Sequence, residues 1–174
     1  MFDLYHYVQK GNNVLQKGLL SFAQNPEADL SYYQQRSGQN THQEICLWME
    51  NCFKGRSRGI RAFTEPIRWS EHNKHCLKDF ADQCDLFKIN VAKLCQDGLL
   101  EAIYVSPSIL EKNPANPHDE LLDKLTDISE IDYSPLDWHL CDDKLGRRFA
   151  YIRYYLLIIQ GGIIPPKYLN LIVS

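Results

Sequence analysis

Strand-like and helix-like segments succeed one another along this chain without settling into regular alternation, and that order constrains the fold most. Residues 3–8, centred on Tyr5, His6 and Tyr7, read as a strand. Asn12 and Asn13 then open a short helix ending near Lys17 and Gly18, where a glycine suits a left-handed cap. Residues 24–42 are polar, hold Pro26, Gly38 and Asn40, and predict a long loop with a helical turn around Tyr32. From Thr41 to Phe53 the signals agree on a helix. Thr41 and Glu44 have the spacing of a capping box, and Ile45, Trp48, Met49 and Cys52 form one apolar stripe. Residues 59–67 predict a strand with Ile60, Ala62 and Thr64 on one face and Pro66 at an edge or end. A helix is expected over 70–81, then strands over 86–91 and 100–105, separated by a turn at Gln96, Asp97 and Gly98. Pro107, Pro114 and Pro117 mark a loop. Residues 120–125 predict a helical turn or two, and residues 144–160 the longest helix, stopped by Gly161 and Gly162. A doubly wound parallel sheet needs alternating strands and helices. The expectation is therefore α+β: a single compact domain over residues 1–174, with small split or antiparallel sheets, flanking helices and a long C-terminal helix.

A chain of 174 residues is long enough to bury a core without disulfide or metal staples. Its net charge of −3 gives no global basic field of the kind that nucleic-acid binders carry. No signal peptide is apparent at the start, because Asp3 and His6 interrupt it, and the most apolar stretch, 151–159, is too short to span a bilayer. The expected setting is cytoplasmic, or a host cytosol if the protein is delivered there, with no membrane partner. The six cysteines are then expected as thiols. Cys46 lies one helical turn after His42, but catalytic thiol–imidazole pairs usually come from separate elements, and Cys46 reads as a small core residue. His72, His75 and Cys76 share a helix face without the paired ligands of a closed zinc site, so no metal is expected. Ten tyrosines supply rigid apolar area with polar tips, suited to cleft walls and interfaces.

Three places carry chemistry. His6 shares a strand face with Leu4 and Val8, which points its imidazole into apolar surroundings. Glu101 opens the apolar run 102–105, where a sheet can hold a carboxylate aimed into a cleft. Residues 54–61 form the densest basic run, with Arg56, Arg58 and Arg61 beside Gly55 and Gly59. Glycines let backbone amides approach an anion, and guanidinium forks clamp a pyrophosphate or an acidic macromolecule. The run is neither a Walker loop nor a Gly-x-Gly-x-x-Gly motif.

The opening segment, Leu4 to Val8 followed by residues 14–21, resembles the start of ADP-ribosyltransferase-like domains, although Tyr7 and Val8 stand where that family often has Gly-Thr. The strands at 86–91 and 100–105 resemble the late strand pair of its DNA-modifying members. The resemblance covers the first third of the chain and these strands. It implies NAD bound between two small sheets and ADP-ribosyl transfer to a macromolecular acceptor, protein or nucleic acid. It places His6 as a hydrogen-bond donor to the ribose or nicotinamide side, Tyr32 or Tyr33 stacked on nicotinamide, Arg58 and Arg61 on the pyrophosphate, and Glu101 as the catalytic carboxylate. Such an enzyme would suit an effector or toxin. The alternative is a non-enzymatic effector, inhibitor or adaptor that binds a partner through a surface rich in tyrosine and arginine. A thiol enzyme or hydrolase on another α+β scaffold is the third possibility.

Overall fold

The computed structural model describes residues 4–62, 84–105, 120–122, 138–142, 148–152 and 155–173. Over these residues the fold is α+β with antiparallel sheets. The strands are β1 (Leu4–Gln9), β2 (Leu19–Leu20), β3 (Gly59–Ala62), β4 (Cys84–Ile89), β5 (Leu100–Val105), β6 (Glu120–Leu122), β7 (Trp138–Asp142), β8 (Arg148–Ile152), β9 (Tyr155–Ile159), β10 (Ile163–Ile164) and β11 (Leu169–Val173). The helices are α1 (Val14–Lys17), α2 (Ser31–Ser37), α3 (His42–Cys52) and α4 (Val91–Gln96), and short 3-10 turns lie between them. One sheet has the order β1-β4-β11 and another the order β3-β9-β5-β6. Two-stranded ribbons join β2 to β10 and β7 to β8.

The registers show how the two larger sheets share a core. Leu4 and His6 sit opposite Ile89 and Phe87, so these four side chains rise on one face of the first sheet. In the second sheet, Ile60 faces Leu157 and Ala62 faces Tyr155, with Ile103 opposite Leu157 from the other side. Leu4, Phe87 and Ile89 from the first sheet pack in one buried cluster with Ile60, Ala62, Ile103, Tyr155, Leu157 and Ile159 from the second. Leu156 and Ile158 point the other way and are buried as well. They lie beneath the loop that follows α3: a side chain at Gly55 would come within 2.6 Å of Ile158, and one at Gly59 within 2.6 Å of Leu156. Phe53 completes this second layer by stacking on Tyr104 at 4.1 Å.

Helix α3 is capped as its sequence predicts. Thr41 Oγ1 accepts from the Glu44 amide at 3.2 Å, and the Glu44 carboxylate accepts from the Thr41 amide at 3.0 Å. Ile45 and Met49 are buried, Trp48 is half-buried, and Cys52 falls outside the stripe, exposed. Gly18 ends α1 with a positive φ of 84° but an extended ψ, so it is not the left-handed cap expected of it. A side chain there would lie 2.2 Å from the Ile164 carbonyl oxygen, and its lack of one lets β10 pass alongside.

Three expectations are corrected. The long C-terminal helix does not form: residues 148–152 and 155–159 are strands. The helix is expected over 144–160, but all five side chains of β9 are buried, on alternating faces of a central strand. A short apolar run buried on both sides has no periodicity that separates strand from helix. Residues 120–122, expected in a helical turn, pair as a strand with β5. Val91 belongs to α4 rather than to the preceding strand. Asn90 caps that helix by accepting from the Lys93 amide at 3.0 Å, so a helix joins the two strands that were read as a pair. The expected helix over 70–81, the strand beyond residue 62, and the His72, His75 and Cys76 group lie outside the described residues.

The C-terminal segment is tied down by a polar contact. The buried Tyr168 donates its hydroxyl to Asp97 at 2.5 Å, and Lys167 lies 3.7 Å from the same carboxylate and over the Tyr168 ring. This links the turn before β5 to the entry of β11. Core position and surface position should separate cleanly in denaturant unfolding. Leu157→Ala, at a site with no exposure, should cost about 2–5 kcal/mol. Leu47→Ala, on the exposed face of α3, should stay within about 0.5 kcal/mol of the parent.

Candidate functional site

His6 stands on the wall of a cavity of about 340 Å³, together with Gln9, Asn12, Lys17, Asn25 and Glu27. Small-molecule pockets run from roughly 300 to 1,000 Å³, so this volume accepts a nucleoside-sized portion of a ligand. The His6 ring is fixed from behind, with Nδ1 2.5 Å from the Arg61 carbonyl oxygen in β3. A carbonyl only accepts, so Nδ1 carries the proton and the neutral ring offers Nε2 as an acceptor. That is the reverse of the donor role implied by the resemblance, and it suits a ribose hydroxyl equally well. Burial pushes the His6 pKa below its ordinary value, against the raising effect of the Arg61 carbonyl, and the Arg61 charge lowers it further.

Arg61 joins His6 to a second group. Burial alone would raise the Tyr32 hydroxyl pKa, but the guanidinium groups of Arg36 and Arg61 outweigh it and lower it. Arg36 Nη1 donates to Tyr32 Oη at 2.5 Å. Tyr33 meets Tyr32 edge-on at 5.2 Å and packs against Phe22, which in turn stacks on His42. His6, Arg61, Tyr32 and Tyr33 are thus brought into one connected array.

Arg58 and Glu101 form another. Arg58 Nη1 lies 2.7 Å from Glu101 Oε1, in a half-buried ion pair that raises the Arg58 pKa. The pair spans β9, since Arg58 precedes β3 and Glu101 lies in β5. The register explains how Glu101 is presented. Leu100 is opposite Ile159 and Ala102 opposite Ile158, so Glu101 is the additional residue of a β-bulge. Bulges re-aim a side chain and are common beside active sites. Glu101 does not line the cavity on which His6 opens.

The basic loop is organised by a residue that sequence reasoning missed. Glu50 Oε2 accepts from the Gly55 amide at 2.7 Å, and Oε1 accepts from the Ser57 amide at 3.1 Å and from the Ser57 hydroxyl. Two amides of the run expected to approach a ligand anion, those of Gly55 and Ser57, therefore hold the chain's own carboxylate. Burial would raise the Glu50 pKa, but the Ser57 and Gly55 bonds and the Arg58 charge lower it. Arg56 is engaged too, 5.1 Å above the Trp48 ring and 5.5 Å above Phe53. A sequence signal for Glu50 existed. An acidic residue in the last turn of a helix opposes the macrodipole and needs a local partner.

Cys46 Sγ is 3.9 Å from both ring nitrogens of His42. Burial and the Glu50 charge push its thiol pKa up, and His42 Nε2 is engaged by the Phe22 carbonyl, so this is no activated nucleophile. Cys46, Cys52, Cys84 and Cys95 are free thiols. Among the described residues, no group of His, Cys, Asp or Glu could hold a metal ion, and no helix is long and apolar enough to cross a membrane. No protein-family model matches the sequence, and no curated protein or solved structure is similar to it.

Two measurements check this geometry. Glu50→Ala should release the basic loop and speed tryptic cleavage after Arg56 and Arg58 several-fold relative to the parent. For His6, the lowered folded pKa means that the unfolded chain takes up the proton more readily. The stability carried by the neutral ring is complete above the ordinary value of 6.5 and is lost as pH falls from there towards the folded pKa. Unfolding midpoints measured down from pH 7 should therefore fall more steeply for the parent than for His6→Gln.

Proposed function

We propose that this chain binds NAD and transfers ADP-ribose to a macromolecular acceptor. The observation that carries the reading is the neutral His6 imidazole on the wall of a polar cavity, its ring pinned by the Arg61 carbonyl, with Arg61 in turn beside Tyr32. In this reading Nε2 of His6 accepts from a ribose hydroxyl, and Tyr32 or Tyr33 offers an aromatic face to nicotinamide. Arg61 faces the pyrophosphate. Arg58 is engaged with Glu101 and serves mainly to orient that carboxylate.

The chemistry asked of Glu101 is electrostatic. The bond between the ribose anomeric carbon and the nicotinamide nitrogen breaks, and its electron pair leaves with nicotinamide. Positive charge develops on the carbon, and an ionised carboxylate held beside it lowers the barrier. The acceptor then bonds to that carbon and gives up a proton, which Glu101 can take. A guanidinium partner holds the Glu101 carboxylate in one orientation, and placement on a bulge frees it from the in–out alternation of the strand. The partner-binding alternative has less support. Of the tyrosines whose exposure is described, only Tyr32 is exposed, while Tyr155 and Tyr168 are buried.

Incubation with millimolar NAD, followed by proton NMR of free nicotinamide, tests the reading, with water as acceptor of last resort. The parent should release nicotinamide. Glu101→Gln should keep NAD binding and lose turnover by roughly 10²-fold or more, the scale of a lost transition-state charge contact. Absence of saturable NAD binding would overturn the proposal, and equal turnover by Glu101→Gln would remove Glu101 from it.

A further inference from the structure

We propose that the cavity on which His6 opens recognises an uncharged sugar ring, either a free monosaccharide or the ribose of a larger ligand, and excludes phosphate. The inference rests on the reading above for the site it concerns, and extends it to sugars outside NAD. The side-chain amides of Gln9, Asn12 and Asn25 line this cavity with the Lys17 ammonium and the Glu27 carboxylate. Among the described residues, none of these five side chains is held by a hydrogen bond or an ion pair. Their donors and acceptors are open to a ligand. His6 adds Nε2, an acceptor fixed in direction because Nδ1 is held by the Arg61 carbonyl.

The mixture of donors and acceptors decides the class of ligand. A carboxylate and the Nε2 of a neutral imidazole only accept, an ammonium only donates, and an amide does both. A sugar hydroxyl also does both, so each hydroxyl of a ring finds a partner on such a wall. An ionised phosphate only accepts. Here it would face the Glu27 carboxylate and the accepting His6 nitrogen, with Lys17 as the one cation among the described lining residues. A wholly apolar ligand would take five polar groups from water and return no hydrogen bond. With one charge of each sign and a neutral His6, the wall carries no net charge, and an uncharged ligand enters without a counter-ion. Val14 and Leu19, both buried, also line the cavity and give the C–H face of a sugar ring an apolar surface. The backbone beneath these side chains is fixed: the Lys17 amide donates to the Asn13 carbonyl at 3.0 Å and the Gly18 amide to the Val14 carbonyl at 2.8 Å. The cavity is thus shaped before a ligand arrives.

Titration of the full chain with D-ribose, with D-glucose and with sodium phosphate, at constant ionic strength, tests it, following the side-chain amide signals of Gln9, Asn12 and Asn25 by NMR. Saturable shifts in the millimolar range are expected with at least one of the sugars and none with phosphate. Glu27→Ala, at an exposed position, should weaken sugar binding about tenfold, the scale of a lost hydrogen bond to a charged group. Asn12→Ala should weaken it by a smaller factor, and Gln43→Ala, exposed on α3, should leave it unchanged. NAD is then added to the sugar complex. Displacement of the sugar would support the cavity and identify a nucleotide ribose as its ligand. Sugar binding that NAD does not displace would support it with a free sugar as ligand, and would count against the NAD reading alone. Sugar shifts that never saturate would overturn the inference. So would phosphate shifts of the same signals that do saturate, NAD binding that leaves the three amides unmoved, or a loss in Gln43→Ala equal to that in Glu27→Ala.

Discussion

The burial of β9 on both of its faces is the constraint on which the rest of this structure depends. Tyr155, Leu157 and Ile159 enter the core shared with the first sheet, and Leu156 and Ile158 lie beneath α3 and its following loop. Each such side chain contributes roughly 1.5–3 kcal/mol when fully withdrawn from water. A strand in this position must hydrogen-bond on both edges, because its peptide groups have no water to turn to. β3 and β5 meet that need, and in doing so they bring Arg58 and Glu101 to opposite flanks of the same strand. The ion pair follows from the packing. At about one-third exposure on each side it adds little stability of its own, and its value lies in orientation.

β3 is the shared carrier of both groups of candidate residues. Arg58, just before it, closes on Glu101, while Arg61 gives its carbonyl to His6 and extends its side chain towards Tyr32. Glu50 fixes the approach to this strand through two backbone amides and a serine hydroxyl. The loop is therefore ordered by the protein's own carboxylate, and a ligand meeting these arginines does not have to pay for arranging them.

Much of this was legible in the sequence, and the failures have physical causes. The capping box of α3 is a local signal in which both partners lie within four residues, and it appears in the structure as expected. The face shared by Leu4 and His6 in β1 follows from period-two alternation in a half-covered strand. β9 was misread because burial on both faces erases alternation. The short strands 120–122 and 163–164 were unreadable because two or three residues hold no period, and they exist only through their partners. Among site residues, strand alternation pointed to His6 and the basic run to Arg61, while Tyr32 and Tyr33 entered through the resemblance alone, and tertiary contacts supply the array that joins them. The pairing of Arg58 with Glu101, and the role of Glu50 in the loop, depend on strand order and on where α3 ends. Arg58 and Glu101 lie 43 residues apart, and the Glu50 contacts, though local, form only because α3 ends where it does.

The bulge at Glu101 places sheet regularity and chemistry in opposition. Leu100 and Ile103 both reach the core although three positions separate them, and one residue has to be left out of the ladder for that to happen. A chain one residue shorter here would close the ladder into an uninterrupted strand and would lose its only carboxylate in β5. Selection for a more robust sheet would thus tend to erase the carboxylate that the bulge presents, because most routes to a steadier sheet run through a regular ladder.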